Sequence, residues 1–265
     1  MSKQKWLVFS DNHGPFNDPR LCGPNPIDSS NDMGLVLDIG QELGVTHIFI
    51  NGDLLDFYFL NQHSPTNCEI QADLCFELDW GKEFFTKLRK KFPKQKIIFQ
   101  YGNHEDRLNR FIMKYCKPFW NILKLEYELG LERLDIEHYP YNNAYNVPNT
   151  DLFIQHSPPS YSQGNAARTS MIKKGSGSFI WGCTHRPDWF PLKTYTGETY
   201  EAHCLGWLGS TNLTDDHKNV FAYTKGHESW GNSFAIVDVY GSDYFIHHHL
   251  IKNYKCSING VLYEG

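Results

Sequence analysis

The chain has 265 residues, 40 % of them apolar, 15 % aromatic and 21 % charged, which is enough apolar material for a sizeable core and excludes a disordered or fibrous class. A formal net charge of −5 provides no global field to gather long nucleic acid, although a local basic groove stays open. Seven cysteines, with no Cys-x-x-Cys pair, argue against a disulfide framework or a zinc ribbon, and no run approaches the ~20 apolar residues of a membrane span.

The first apolar run, Trp6 to Phe9, reads as a strand and closes in Ser10-Asp11-Asn12-His13. With a strand rather than a secretory signal at the start, the expected compartment is the cytoplasm, and Asn212-Leu-Thr214 is not expected to be glycosylated. Gly14 to Ser30, rich in Pro, Asn, Asp and Gly, reads as a long loop. Asn31 to Leu43 follows as a helix, with Met33, Val36, Leu37 and Leu43 on one face. The second run, Ile48 to Ile50, ends abruptly in Asn51-Gly52-Asp53, as a buried parallel strand does at its carboxyl end. A lysine-rich helix is expected over Glu69 to Phe92.

The third run, Ile97 to Phe99, closes in Gly102-Asn103-His104-Glu105. Leu108 to Gly130 then reads as two helices broken near Pro118, a helical cap inserted around 106–130. Leu152 to Ile154 closes in Gln155-His156-Ser157, and Phe179 to Trp181 in Gly182-Cys183-Thr184-His185. Beyond these, Thr199 to Leu208, Ser233 to Val239 and Tyr244 to Ile251 read as short strands of an antiparallel sheet completing a sandwich. The strand–helix–strand alternation of the first part argues for a largely parallel sheet. No linker divides the chain, and one domain over 1–265 is expected.

Each of the five runs thus ends in residue types that bind metal. In open α/β folds ligands lie outside the carboxyl ends of the strands. Residues i and i+2 of an extended segment share a face, so Asp11 with His13, and Cys183 with His185, are expected to grip one centre each. Asp53 is expected to bridge two metal ions.

In order, Asp-x-His, Gly-Asp-x-x-Asp, Gly-Asn-His-Glu, a lone His and Gly-x-x-His resemble the motifs of the calcineurin-like metallophosphoesterases, over Asp11 to His185. The resemblance implies an α/β fold, a four-layer αββα sandwich of two mixed β-sheets, with a dinuclear centre at the carboxyl ends of the strands. It implies that Asp11, His13, Asp53 and His185 hold one metal, and that Asp53, Asn103 and His156 hold the other with the position of Cys183. It implies further that His104 donates a proton to the leaving group and that Asp56 orients it. Mixed oxygen and imidazole donors suit two divalent transition-metal ions, manganese first, with iron, zinc, cobalt or nickel as alternatives.

Two departures stand out. The family commonly has Gly-His-x-His where this chain has Gly182-Cys183-Thr184-His185, so either the thiolate binds or the second site loses a ligand. His203 is a lesser candidate to replace it. Ser/Thr protein phosphatases share Gly-Asn-His-Glu but follow Gly-Asp-x-x-Asp with a phosphate-binding arginine, and Phe57 stands there. Arg107 and Arg186 are the candidates for the missing charge, Arg forks being matched to phosphate oxygens. Alternatively they pair with Glu105 or Asp188.

The remaining features read as ordinary surface or core. Lys87 to Lys96 is expected to be a solvated helix end, and the alternating rings of His247 to His249 suit no single metal. Tyr101, Tyr161, Trp181, Trp189 and Trp207 are either stacking platforms for a base or cleft wall. The expected activity is hydrolysis of a phosphate ester. The resemblance implies that a metal-bridging hydroxide attacks phosphorus with His104 as acid, the expected substrate being a nucleotide or nucleic-acid phosphodiester, with a phosphomonoester as the alternative. A non-catalytic metal-binding scaffold and a nuclease on long DNA are the rivals. No protein partner and no membrane attachment are indicated.

Overall fold

The computed structural model describes residues 3–14, 32–60, 74–157, 166–174, 177–209 and 230–265. In chain order they form β1 (Lys3–Phe9), α1 (Asp32–Glu42), β2 (His47–Asn51), α2 (Leu74–Lys91), β3 (Lys96–Gln100), α3 (Asn103–Tyr115), α4 (Leu125–Glu128) and β4 (Ile136–Tyr139). There follow β5 (Tyr145–Asn146), β6 (Leu152–Ile154), α5 (Ala166–Lys174), β7 (Ser178–Trp181), β8 (Asp188–Lys193), β9 (Thr199–Cys204), β10 (Asn232–Tyr240), β11 (Asp243–Ile251), β12 (Lys255–Ile258) and β13 (Val261–Glu264).

Strand alternation creates the layers. On β1, Leu7 and Phe9 face one way and Trp6 and Val8 the other; Ile48 and Ile50 oppose Phe49 on β2, and Ile97 and Phe99 oppose Ile98 on β3. The first set packs under α1 and α2, against Met33, Val36, Leu37, Phe84, Phe85 and Leu88. The second set meets Leu152, Ile154 and Ile180 of the other sheet. Phe179 and Trp181, on the far side of β7, pack with Ala167 and Met171 of α5. The result is an αββα sandwich.

Both sheets are mixed. The first has the order β11-β10-β1-β2-β3-β4, parallel from β1 to β4, with β10 antiparallel to β1. The second has the order β5-β6-β7-β9-β8, parallel only across β6, β7 and β9. The late strands therefore do not build a sheet of their own, as the sequence suggested. Thr199–Cys204 lies parallel to β7, while the two strands beyond 230 extend the first sheet. Strand partners are chosen by long-range apolar faces that no local pattern encodes. Pro191 is tolerated because β8 is an edge strand.

The segment after β3 also differs. Its helix starts at Asn103, not near Leu108, because Glu105 reaches back to accept the Gly102 N–H at 2.7 Å. Past Pro118 the expected second helix is reduced to the single turn α4. Leu108, Ile112, Leu125 and Leu129 sink into the main core. The basic stretch at the end of α2 is spent locally: Lys87 on Glu83, Lys91 on Asp38, Lys96 on Glu137, and Arg89 on four backbone carbonyls. No helix among the described residues is long and apolar enough to cross a membrane. The loop expected over Gly14 to Ser30 and the sequon at Asn212 lie outside the described residues, apart from Gly14.

Candidate metal centre

The five motif segments leave the carboxyl ends of β1, β2 and β3 in one sheet and of β6 and β7 in the other. They meet where the two sheets abut. The loops after β1 and β2 run side by side, the N–H groups of Asp11 and His13 donating to the carbonyls of Gly52 (3.1 Å) and Asp53 (2.9 Å). Gly182 N–H donates to His156 C=O at 3.0 Å, tying together the two loops of the second sheet. Side chains on Gly182 or Gly102 would run into Asp11 and Ser10, or into the Asp53 carboxylate, so both positions require glycine.

The backbone here is not extended. Asp11, His13, Asp53, Cys183 and His185 have φ of 57°, 53°, 51°, 70° and 57°. A left-handed non-glycine residue costs roughly 1–2 kcal/mol, and such strain persists where the surroundings force it. The expectation that i and i+2 residues share a centre through strand geometry therefore needs correction. Asp11 and His13 do converge, but by tight turning. Cys183 and His185 part company and join different groups.

Asp11 Oδ1 lies 3.2 Å from His185 Nε2, and the Nε2 atoms of His13 and His185 are 3.0 Å apart. On the other side His156 Nε2 lies 3.1 Å from both Asp53 Oδ2 and Asn103 Oδ1, and the Cys183 thiol donates to Asn103 Oδ1 at 3.2 Å. Asp53 stands between: its Oδ2 is also 4.0 Å from His13 Nε2, while the His104 N–H pins its Oδ1 at 2.9 Å. The outer nitrogens are engaged as well, His13 Nδ1 with Asp56 Oδ1 at 2.9 Å and His156 Nδ1 with Asn51 C=O at 2.6 Å. That arrangement aims Nε2 inward on both rings, as metal-ligating histidines require. Trp207 and Trp230 flank the His185 ring, with centroids 5.7 and 4.1 Å away.

The donor set fits divalent cations. Burial alone would raise the carboxyl groups of Asp11, Asp53 and Asp56, yet the surrounding histidine charges hold all three well below the usual range. Burial would likewise lower His13, but the Asp11, Asp56 and Asp53 carboxylates push it up to about 10, and His156 is raised by Asp53. Three buried carboxylates thus demand positive charge, which protons on His13 and His156 carry without metal. Cations entering here displace those protons, so affinity rises with pH.

Asp56 is shared. Its Oδ1 accepts from His13 Nδ1 and lies 2.9 Å from His104 Nδ1, which donates to the Asp56 carbonyl at the same distance. His104 is 8 % exposed, and its Nε2 accepts from the Arg107 guanidinium at 2.9 Å. Arg107 also donates to the Asp56 carbonyl at 3.0 Å, while the Glu105 carboxylate is engaged by backbone N–H groups. Arg186 is half-buried beside His185, its Nε without a hydrogen bond among the described residues.

Glu105 is the residue whose part the sequence reading missed. Fully buried, it accepts the N–H groups of Asp53 (2.9 Å), Leu55 (2.9 Å) and Gly102 (2.7 Å), clamping the Gly-Asp turn to the start of α3. Burial and the Asp53 charge push its carboxyl up to about 7, against the pull of the N–H donors. A glutamate three residues into the helix was the available signal. Phe57, in the arginine position of the protein phosphatases, is wholly buried core.

Other candidates fall away. His203 contacts Glu201, Trp189 and His248, and none of these belongs to the cluster. Tyr101, Trp181 and Trp207 are buried and offer no platform to a base, leaving Trp189 exposed. Tyr161 lies outside the described residues. For Cys183 the geometry carries a direct test: Cys183→Ala is expected to retain one tightly bound metal and weaken the second, by elemental analysis and titration. Unchanged stoichiometry and affinity would reject the thiolate as a ligand.

A family model described as calcineurin-like phosphoesterase matches residues 5–261. No curated protein matches the sequence. Among solved structures, a conserved uncharacterized protein and predicted phosphoesterase from Streptococcus pneumoniae is 13 % identical (94 % of this chain, 91 % of that one, TM-score 0.37). Zinc-complexed Vps29 from Entamoeba histolytica is 10 % identical (98 % and 96 %, TM-score 0.42), and vacuolar protein sorting 29 from Cryptosporidium parvum 9 % (99 % of each, TM-score 0.45). The family match spans nearly the whole sequence and covers each motif that builds the centre: the chain belongs to the calcineurin-like phosphoesterase family.

Proposed function

We propose that the protein is a hydrolase of phosphate esters that uses two divalent cations, manganese first, with a nucleotide or nucleic-acid phosphodiester as substrate. The observation that carries this reading is the position of Asp53, one carboxylate oxygen lying between the Asp11, His13, His185 group and the Asn103, His156, Cys183 group. Two bound dications would acidify water, orient the phosphoryl group and offset charge on its oxygens.

The chain's own residues divide the remaining work. Asp56 fixes the His104 ring through Nδ1, leaving Nε2 as the atom that hands a proton to the leaving oxygen. In the free protein the Arg107 guanidinium occupies that nitrogen. A phosphoryl oxygen drawing Arg107 away frees Nε2 to take a proton from solvent, and the imidazolium so formed, supported by Asp56, then protonates the leaving oxygen. Arg186 is held in reserve for the same anionic oxygens. Asn103 would contact the phosphoryl group through its amide. A bare scaffold has no use for an oriented acid beside the cluster, which favours catalysis. With no membrane-spanning helix among the described residues, the cytoplasm is the compartment we infer.

The test is a panel of a generic monoester, a generic diester, cyclic nucleotides and single-stranded DNA, run on chelator-stripped protein before and after metal is restored. Turnover of the diesters is expected to vanish on stripping and return with about two equivalents of manganese. Protein that regains both metals and cleaves none of the panel would overturn the reading.

A further inference from the structure

A cleft of about 700 Å³ opens beside the centre, lined along α3 by Arg107, Arg110, Phe111, Lys114 and Tyr115 and closed on the other side by Phe59 and Leu60. Arg107, Arg110 and Lys114 recur three and four residues apart, so they share one side of the helix. At 1.5 Å per residue the three cations span ~10 Å along the axis. A stacked strand presents a phosphate about every 3.4 Å, so the span accommodates several nucleotides.

The aromatics are interleaved with the charges. Phe111 and Tyr115 are 40 % and 63 % exposed, with ring centroids 5.1 Å apart, whereas Leu108 and Ile112, on the adjoining stripe of the same helix, are buried. Large rings left open to water beside cations are poor solvated surface but good stacking platforms. Lys114 lies 4.8 Å from the Tyr115 ring and meets no carboxylate among the described residues. Arg110 is paired with Asp106 at 3.0 Å, but its side chain is 64 % exposed, and so solvated a pair yields readily to phosphate. The cleft is continuous with the centre because Arg107 belongs to both: it lines the cleft and touches His104.

We propose that this face of α3 is the track for a single strand of nucleic acid, its flanking phosphates on Arg110 and Lys114 and its unpaired bases against Phe111, Tyr115 and Phe59. This names the substrate class and rests on the phosphoesterase reading of the adjoining centre. It also reconciles an acidic protein with a polyanionic ligand. The attraction is local, and it requires bases that are free to stack, which a duplex does not offer.

Binding and turnover are measured separately. Fluorescence anisotropy follows a labelled thymidine oligonucleotide of about eight nucleotides, within the length that single-strand sites usually cover, on the metal-loaded protein at several salt concentrations. Phe111→Ala is expected to weaken binding by about 5- to 150-fold, the effect of losing one stacked base. Arg110→Ala and Lys114→Ala are each expected to reduce the slope of log affinity against log salt by about 0.7, one phosphate contact on a single strand. Melting curves of the three variants check that each is folded, and turnover of a small generic diester, too short to run along α3, reports whether the centre itself is intact. Duplex of the same length is expected to compete poorly.

Affinity and salt slope unmoved by these substitutions would overturn the track. So would equal competition by duplex, or no oligonucleotide binding at all, which would leave the face to a protein partner. Oligonucleotide binding that depends on the three residues, in a metal-loaded protein that cleaves no phosphoester, would sustain the track and sink the phosphoesterase reading instead.

Discussion

His104→Ala is expected to lower kcat on an alkyl or nucleoside phosphodiester by ~10²- to 10⁴-fold, the usual worth of a positioned acid, while both metals stay bound. His104 is well placed for such a split between chemistry and binding. Its ring meets Asp56 and Arg107 and lies 3.7 Å from Asp53 Oδ2, but neither of its nitrogens joins the Asn103, His156, Cys183 group. The loss should shrink when the leaving group is an acidic phenol, because an oxygen that departs as a stable anion needs no proton. Measuring kcat on the two ester types, with metal content checked alongside, decides the matter. Equal losses on both, or loss of metal in step with loss of rate, would remove the acid role.

The second large effect concerns stability. Glu105→Ala leaves the buried N–H groups of Asp53, Leu55 and Gly102 without an acceptor, at ~1–3 kcal/mol each, so on the order of 3–9 kcal/mol in all. Domains are typically stable by only ~5–15 kcal/mol. A melting temperature at least ~6 °C below the parent is therefore expected of the metal-free protein, if it folds. Glu105→Gln keeps the shape and one acceptor oxygen, so it should fold. It still turns an amide N–H toward a backbone donor and loosens the Asp53 turn, which should cost about 10- to 100-fold in metal affinity, as outer-sphere changes commonly do. Calorimetry and metal titration of the two variants provide the check, and a Glu105→Ala protein that melts with the parent would show that water replaces the clamp.

These two residues also mark the division between what the chain shows locally and what the fold supplies. His104 announces itself, sitting after an apolar run and a glycine. Glu105 next to it looks like a surface acid, and only the return of β2 alongside β3 brings up two of its three backbone donors, those of Asp53 and Leu55. Asp56 shows the same: read as the partner of one histidine, it serves two.

By itself the sequence determined where strands end in glycine and metal-binding side chains, because an apolar β-branched run and the glycine that terminates it are properties of adjacent residues. The tertiary structure alone decided that three of those ends belong to one sheet and two to another, and that β9 runs parallel to β7. It also decided that Cys183 and His185 face different partners from left-handed backbone, and that Tyr101 and Trp181 are core while Phe111 and Tyr115 face water. Each of these depends on which distant surfaces bury one another, and that choice is made by the whole core rather than by any stretch of neighbours.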